Sequence, residues 1–180
     1  MNIKTLNLIK WNGNVKLYDK NGVLIFEGEY LEGKRWNGKG KEYDNEGNLI
    51  FYGTYVYGCK NGNIKKYKNN KLQFEGELVF NILKGKGKKY YKNGNIKFER
   101  RYYNCKREGN GKEYYKNGQL KYDVEYSNEK RNGYGKQYYI NGKLKFEGQY
   151  LNGKEWNGKK YNNNGIIEFN VIYGKNKIRD

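Results

Sequence analysis

Histidine, proline and alanine are absent from this 180-residue chain. Without histidine, the side chain most often used as a general base and metal ligand is missing. No Cys-x-x-Cys pair, nucleophile elbow or phosphate-binding loop stands in for it. The Gly-x-Gly steps, such as Gly85-Lys86-Gly87, sit at repeat boundaries and open no helix. No catalytic, cofactor or metal residue is therefore assigned. The best helix former is missing while glycine occurs 25 times, which disfavours helix. Proline and alanine need G/C-rich codons, so part of this bias reflects A/T-rich coding. No stretch approaches the ~20 apolar residues of a spanning helix. Met1–Lys10 has no continuous apolar run, which reads against a secretory signal, and no Asn-x-Ser/Thr site occurs. The two cysteines, Cys59 and Cys105, lie about two repeats apart. That is roughly 19 Å at ~4.8 Å per strand, beyond the ~7 Å reach of a disulfide. Two unpaired thiols suit a reducing compartment. The expected location is intracellular and cytoplasmic, at the membrane periphery under the lipid-binding reading below.

What is present is charge and aromaticity in phase. The net charge is +18, with 21 tyrosines. High charge and low hydropathy are the composition of a disordered chain, but a disordered chain has no need to place tyrosine at a fixed interval. A motif close to N-G-x-G-K-x-Y-x-x-N-G-x-L-x-F-E-G-x-Y-x-x-G-K recurs about every 24 residues, the mark of a repeat array. One column is Tyr18, Tyr43, Tyr67, Tyr90, Tyr114, Tyr138 and Tyr161. A second is Phe26, Phe51, Phe74, Phe98, Tyr122, Phe146 and Phe169. A third is Tyr30, Tyr55, Leu78, Tyr102, Tyr126, Tyr150 and Tyr173. These columns define a single array over 11–180, with units near 11–35, 36–60, 61–84, 85–108, 109–131, 132–155 and 156–180. Residues 1–10 form an N-terminal capping segment through Ile3, Leu6, Leu8 and Ile9.

One unit predicts the architecture. Leu144, Phe146, Gly148 and Tyr150 alternate with Lys143, Lys145, Glu147 and Gln149, a period of two and hence a strand with an aromatic and a charged face. Gly135–Tyr139 makes its partner, and Ile140-Asn141-Gly142 the hairpin loop. A two-residue Asn-Gly turn would set Tyr138 opposite Lys145. A three-residue loop with glycine in the left-handed region sets it opposite Leu144, and only this puts the repeated Tyr and Leu on one face. Equivalent turns are expected at Asn93-Gly94 and Asn117-Gly118. Single hairpins are marginal in water. Seven, joined by Gly-rich segments, can stack their aromatic faces. The repeated Gly28, Gly53, Gly76 and Gly148 would let rings lie against backbone. The expectation is an all-β fold: an elongated, twisted antiparallel ribbon of about seven stacked β-hairpin repeats. Fourteen strands would span roughly 65 Å. Terminal units should be atypical, and the last is: Trp156–Tyr161 is shorter than Trp36–Tyr43.

Phe26-Glu27-Gly28-Glu29-Tyr30-Leu31-Glu32-Gly33-Lys34-Arg35, followed by Asn37-Gly38-Lys39-Gly40, resembles the MORN repeat (membrane occupation and recognition nexus), whose pattern is approximately Y-x-G-x-W-x-x-G-K-x-H-G-x-G. Phe146–Gly158 is similar. The resemblance covers almost the whole chain and is weaker around Leu78 and Phe98–Arg101. Two departures stand out: no His precedes the second Gly, and Trp36-Asn37 or Trp156-Asn157 stands there with one extra residue. The copies also resemble the variant seen in bacterial antitoxin-like proteins. The resemblance implies a β-hairpin ribbon, a MORN-like solenoid, used for protein–protein scaffolding. It also implies a proposed membrane or phosphoinositide association in some members, and no catalysis.

Charged positions repeat as well. Glu27, Glu75, Glu99, Asp123 and Glu147 share one repeat position, and the plain reading pairs them with lysines of neighbouring rungs. Lys16, Lys41, Lys65, Lys88, Lys112, Lys136 and Lys159 stand two residues before the first Tyr, on its face. Their stems would cover rings, or they would form a cationic track. A second basic row falls in the inter-hairpin segments: Lys34, Arg35, Lys60, Lys84, Lys106, Arg107, Lys130, Arg131 and Lys154. This edge is the candidate polyanion-binding site, although it also discourages edge-to-edge association. The leading functional expectation is a non-enzymatic scaffold binding a protein partner. A peripheral binder of anionic lipid through the basic rows is the alternative. Nucleic-acid binding, by bases stacking on Tyr beside Lys, comes third. Buried rings favour the first two, solvent-facing rings beside Lys the third.

Overall fold

Aromatic and charged residues that alternate make strands, and Gly- or Asn-bearing steps at fixed intervals reverse them. The computed structural model describes residues 11–177. The cap expected at Met1–Lys10 lies outside the described residues. Among these the chain is all β, with fifteen strands and no helix. It divides between Ile82 and Leu83 into two compact units. The first contains β1 (Gly13–Tyr18), β2 (Leu24–Leu31), β3 (Lys34–Tyr43), β4 (Leu49–Val56), β5 (Cys59–Lys68) and β6 (Lys71–Val79). The second contains β7 (Ile82–Tyr90, from Leu83), β8 (Ile96–Tyr103), β9 (Lys106–Tyr114), β10 (Leu120–Ser127), β11 (Lys130–Tyr138), β12 (Leu144–Leu151), β13 (Lys154–Tyr161), β14 (Ile167–Ile172) and β15 (Lys175–Lys177). Within each unit, successive strands pair antiparallel in chain order and leave an open sheet. The strand beyond the fourteen expected is the short β15, paired with β14.

Two kinds of turn alternate, except that a two-residue turn, Asn69-Asn70, with both φ angles positive, joins β5 to β6 where a three-residue loop would fall. The Asn-Gly hairpins have the three-residue loop. Tyr139 N–H donates to the Lys143 carbonyl at 2.8 Å and Gly142 N–H to the Tyr139 carbonyl at 2.9 Å, with Gly142 at φ 83°. Tyr138 accordingly pairs with Leu144. The segments expected to be Gly-rich joints are tighter still. Glu32-Gly33, Tyr57-Gly58, Phe80-Asn81, Asn104-Cys105, Asn128-Glu129, Asn152-Gly153 and Tyr173-Gly174 all have both φ angles positive. That is the type I′ turn, whose twist matches that of the strands it joins.

The second and third aromatic columns make the core. Phe26, Tyr30, Phe51, Tyr55, Leu78, Tyr126, Phe146 and Tyr150 are buried, with Ile64, Val124 and Val171. Rings meet edge to face, as for Phe26–Tyr30 at 5.3 Å and Phe146–Tyr150 at 5.1 Å between centroids. Phe146 is 0% exposed, and burying such a ring is worth about 1.5–3 kcal/mol. A single layer can hide rings this well because they lie flat over glycines. A Cβ on Gly40 would stand 2.8 Å from the Phe26 ring, and one on Gly158 2.8 Å from the Phe146 ring.

Three expectations need correction. The first Tyr column is not core: Tyr18 is exposed and the others are half-buried. The register explains why. Gln137 pairs with Phe146 and Tyr138 with Leu144, so a bulge at Lys145 reverses parity and puts Tyr138 on the opposite face from Phe146. Tyr173 does not continue the third column. It lies in a turn at 69% exposure, and Val171 is buried instead. Gly28 and Gly148 accommodate backbone rather than rings: a Cβ there would meet the carbonyl of Asn37 or Asn157 and the Cα of Gly38 or Gly158. Gly53 does face the Phe51 ring, at 2.7 Å.

Candidate functional site

Three of the tight turns present large, exposed aromatic side chains. Tyr57 is 62% exposed, Phe80 50% and Tyr173 69%, each at a φ of 48–49°. Bulky residues rarely take this left-handed conformation. Here it is imposed from outside the turn. The second turn residue donates its N–H to a carbonyl two strands earlier: Gly33 to Trp11 at 3.1 Å, Gly58 to Trp36 at 2.8 Å, Asn81 to Lys60 at 2.8 Å, Gly153 to Arg131 at 2.8 Å, Gly174 to Trp156 at 2.8 Å. The first donates to an asparagine side chain: Tyr57 to Asn37 Oδ1 at 3.0 Å, Phe80 to Asn61 at 3.1 Å, Tyr173 to Asn157 at 2.9 Å. Trp36 and Trp156 also stack edge to face on Tyr57 and Tyr173, at 5.8 and 5.7 Å.

The nine basic residues of this edge separate into two sets. Lys34, Lys84, Lys106, Lys130 and Lys154 are exposed. Arg35, Lys60, Arg107 and Arg131 fold back over rings. Arg35 lies 5.1 Å from the Phe26 centroid, Lys60 4.0 Å from Phe51, Arg107 5.7 Å from Tyr126 and Arg131 4.3 Å from Tyr122. Arg107 is further held by Glu129, its Nε 2.5 Å from Oε2. Arg131 Nη2 donates to the Gly153 carbonyl at 3.0 Å.

The family description of the MORN repeat variant matches residues 11–32, 83–104, 107–128 and 131–152. Each stretch runs from the residue whose carbonyl receives a tight turn to the first residue of that turn. The chain is a MORN-repeat protein. No curated protein gives a significant match to it. MORN repeats are a non-catalytic repeat type of protein- and membrane-interaction scaffolds.

Within these MORN repeats the ring face carries a polar row that sequence reasoning missed. Glu42 accepts Tyr55 O–H at 2.5 Å and Lys60 Nζ at 2.7 Å, while Arg35 Nη1 donates to the Tyr55 hydroxyl at 3.2 Å. Glu113 repeats the arrangement, accepting Arg100 Nη2 at 2.9 Å and Tyr126 O–H at 2.6 Å. Burial pushes both carboxyls up, but these donors outweigh it and hold both below the ordinary range. Burial and the bond to Glu42 push the Tyr55 hydroxyl up to about 12. Arg100 is buried, with its guanidinium 3.7 Å from the Phe98 centroid. Its Nε and Nη1, with Arg131 Nε and the Tyr150 hydroxyl, are buried without a protein partner. The only advance signal was position: Glu42 and Glu113 immediately precede a repeated Tyr.

The opposite face behaves as the plain reading expected. Lys16–Glu27 at 2.8 Å, Lys88–Glu99 at 3.2 Å, Lys112–Asp123 at 3.8 Å and Lys136–Glu147 at 3.3 Å are cross-strand ion pairs. A tyrosine ladder at the hairpin ends also escaped the sequence reading. Tyr91, Tyr115 and Tyr139 donate O–H to the carbonyls of Tyr114, Tyr138 and Tyr161, each at 2.8 Å. The doubled Tyr-Tyr in these repeats was its trace.

Proposed function

We propose that this protein is a non-enzymatic scaffold whose tight-turn edge grips a protein partner. The observation that supports this is the projection of Tyr57 and Phe80, in the first unit, on left-handed backbone that a small residue would occupy more cheaply. Tyr57 meets Trp36 edge to face, but neither ring is buried, so burial does not account for the strain. Exposed aromatic anchors with cations at their rim are the usual composition of a binding surface. Leu31 and Ile82 add exposed apolar area, and Lys34 provides a cation at the rim. The test is Tyr57→Asn with Phe80→Asn, because asparagine suits both turn positions. The variant should fold with unchanged or raised stability and lose capture of partner proteins from the native organism. Undiminished capture would refute the reading.

A second reading, association with an anionic membrane surface, is favoured by the five exposed lysines alone. It calls for electrostatic, salt-screened binding.

A further inference from the structure

In the second unit, the face opposite the buried rings carries a charge ladder. The register sets Lys88 opposite Glu99, Glu99 opposite Lys112, Lys112 opposite Asp123, Asp123 opposite Lys136 and Lys136 opposite Glu147. One row over, the alternation breaks. Lys86 of β7 stands directly opposite Arg101 of β8. Like charges in this relation destabilise a sheet. Both residues are exposed, and neither side chain has an ion-pair or hydrogen-bond partner among the described residues. Glu108, opposite Arg101 on β9, instead accepts the Asn128 N–H at 3.3 Å.

Between the two rows lies a groove of about 420 Å³, with Lys86, Arg101 and Asn110 along one wall and Lys88, Glu99 and Lys112 along the other. Its β9 side is opened by an irregularity. The pairing jumps from Arg100↔Gly111 to Arg101↔Glu108, so Gly109, at φ 69°, and Asn110 have no partner on β8. Bulges of this kind re-aim side chains.

We infer that this groove seats the phosphate monoester of a phosphorylated side chain on a partner protein, with Arg101 and Lys86 sharing its charge. The inference rests on the scaffold reading above and names what the partner presents. A phosphorylated side chain carries about −1.5 to −2 charges at pH 7, which suits two cations that form no ion pair. The guanidinium supplies a two-pronged donor and the ammonium a mobile point charge. Asn110 adds a neutral amide. The positive stretch is short. Glu99 and Asp123 are already engaged by Lys88 and Lys112, and Glu125 pairs with Asn110 across the next strand. A nucleic-acid backbone would run from the two cations onto Glu125. A lipid headgroup would press its chains against charged rows. One anion on a slender side chain avoids both costs.

The experiment titrates the isotopically labelled full-length protein with a phosphoserine peptide, its serine counterpart, a deoxythymidine oligonucleotide and phosphatidylserine vesicles, at about 0.15 M salt. The phosphopeptide should shift the amides of Lys86, Arg101 and Asn110 saturably, and the serine peptide should not. Lys86→Met with Arg101→Met should weaken phosphopeptide binding about tenfold or more, with the fold at least as stable once the repulsion is gone. Equal binding of the two peptides, an undiminished double variant, or preferential occupation of the groove by oligonucleotide or vesicle would overturn the inference. If the phosphopeptide fails while capture through Tyr57 and Phe80 persists, the groove assignment falls and the scaffold reading stands. If the phosphopeptide binds at these three amides and no protein is captured, the scaffold reading falls alone.

Discussion

Arg100 occupies the repeat position that Gly28, Gly53 and Gly148 hold elsewhere and that Val124 and Val171 fill with small apolar groups. A charged side chain there is tolerated because Phe98 lies under its guanidinium and Glu113 accepts one of its N–H groups. Glu113→Ala should therefore destabilise the protein by about 1–3 kcal/mol in urea denaturation, since it leaves Arg100 buried and uncompensated. Arg100→Val combined with Glu113→Gln should recover that loss, because buried ion pairs are often replaceable by packing. If the double variant is as unstable as Glu113→Ala, the pair is not the cause. The same carboxyls predict the pH response. Glu42 and Glu113 sit below their unfolded value of 4.5, so the native state holds these sites ionised more strongly than the unfolded chain does. Their contribution is present above pH 4.5 and lost as pH falls through the depressed folded values. Tyr55 is raised from 10.0 to about 12, so its contribution is present below pH 10 and lost as pH rises through about 12. Thermal melts should show a plateau between an acid limb and an alkaline limb, and Glu42→Gln with Glu113→Gln should shrink the acid limb. The sequence showed the Phe column plainly, because alternation of two needs no structure to be read. It could not place Glu42 or Glu113 on the ring face, because one bulged residue reverses which neighbours share a side.

Turns and close strand crossings decide the geometry of each element. Gly142 needs only its left-handed φ, and a Cβ there would touch nothing nearer than the Gln119 side chain at 3.5 Å. Gly148 needs space, since a Cβ would strike the backbone of β13. Gly142→Ala should cost about 1–2 kcal/mol, whereas Gly148→Ala should cost visibly more and disturb amide shifts of Asn157 and Gly158. Equal, small effects would mean that the two strands can separate at no cost. The Asn-Gly loops were legible because their composition matches their conformation. The tight turns were not, because Tyr57, Phe80 and Tyr173 contradict the usual residue preference. Their shape comes from hydrogen bonds to strands about 20 residues away in sequence, and no local window contains them.

Over the whole molecule, charge is distributed by what lies beneath it. The cationic edge read from the sequence is in space five lysines in solvent and four cations lying over rings. Neutralising Lys84, Lys106, Lys130 and Lys154 to glutamine should abolish whatever association exists with anionic vesicles, with little change in melting temperature. Exposed lysines act through a screened field. Changing Arg35 and Arg131 should instead lower stability, because their loss uncovers Phe26 and Tyr122. Vesicle flotation and thermal melts on the two variants would separate the roles, and an identical outcome for both would remove the distinction. The hydrogen bonds that hold each tight turn have a consequence for how such a chain can change length. Each turn that closes a repeat takes its acceptors from the opening residues of the same repeat or the last residues of the one before, and Tyr91, Tyr115 and Tyr139 reach only to the repeat immediately after. A segment copied in tandem by replication slippage, one repeat long and in frame, would arrive with donors and acceptors already in register at both junctions. The array is built so that a duplication error is a conservative mutation.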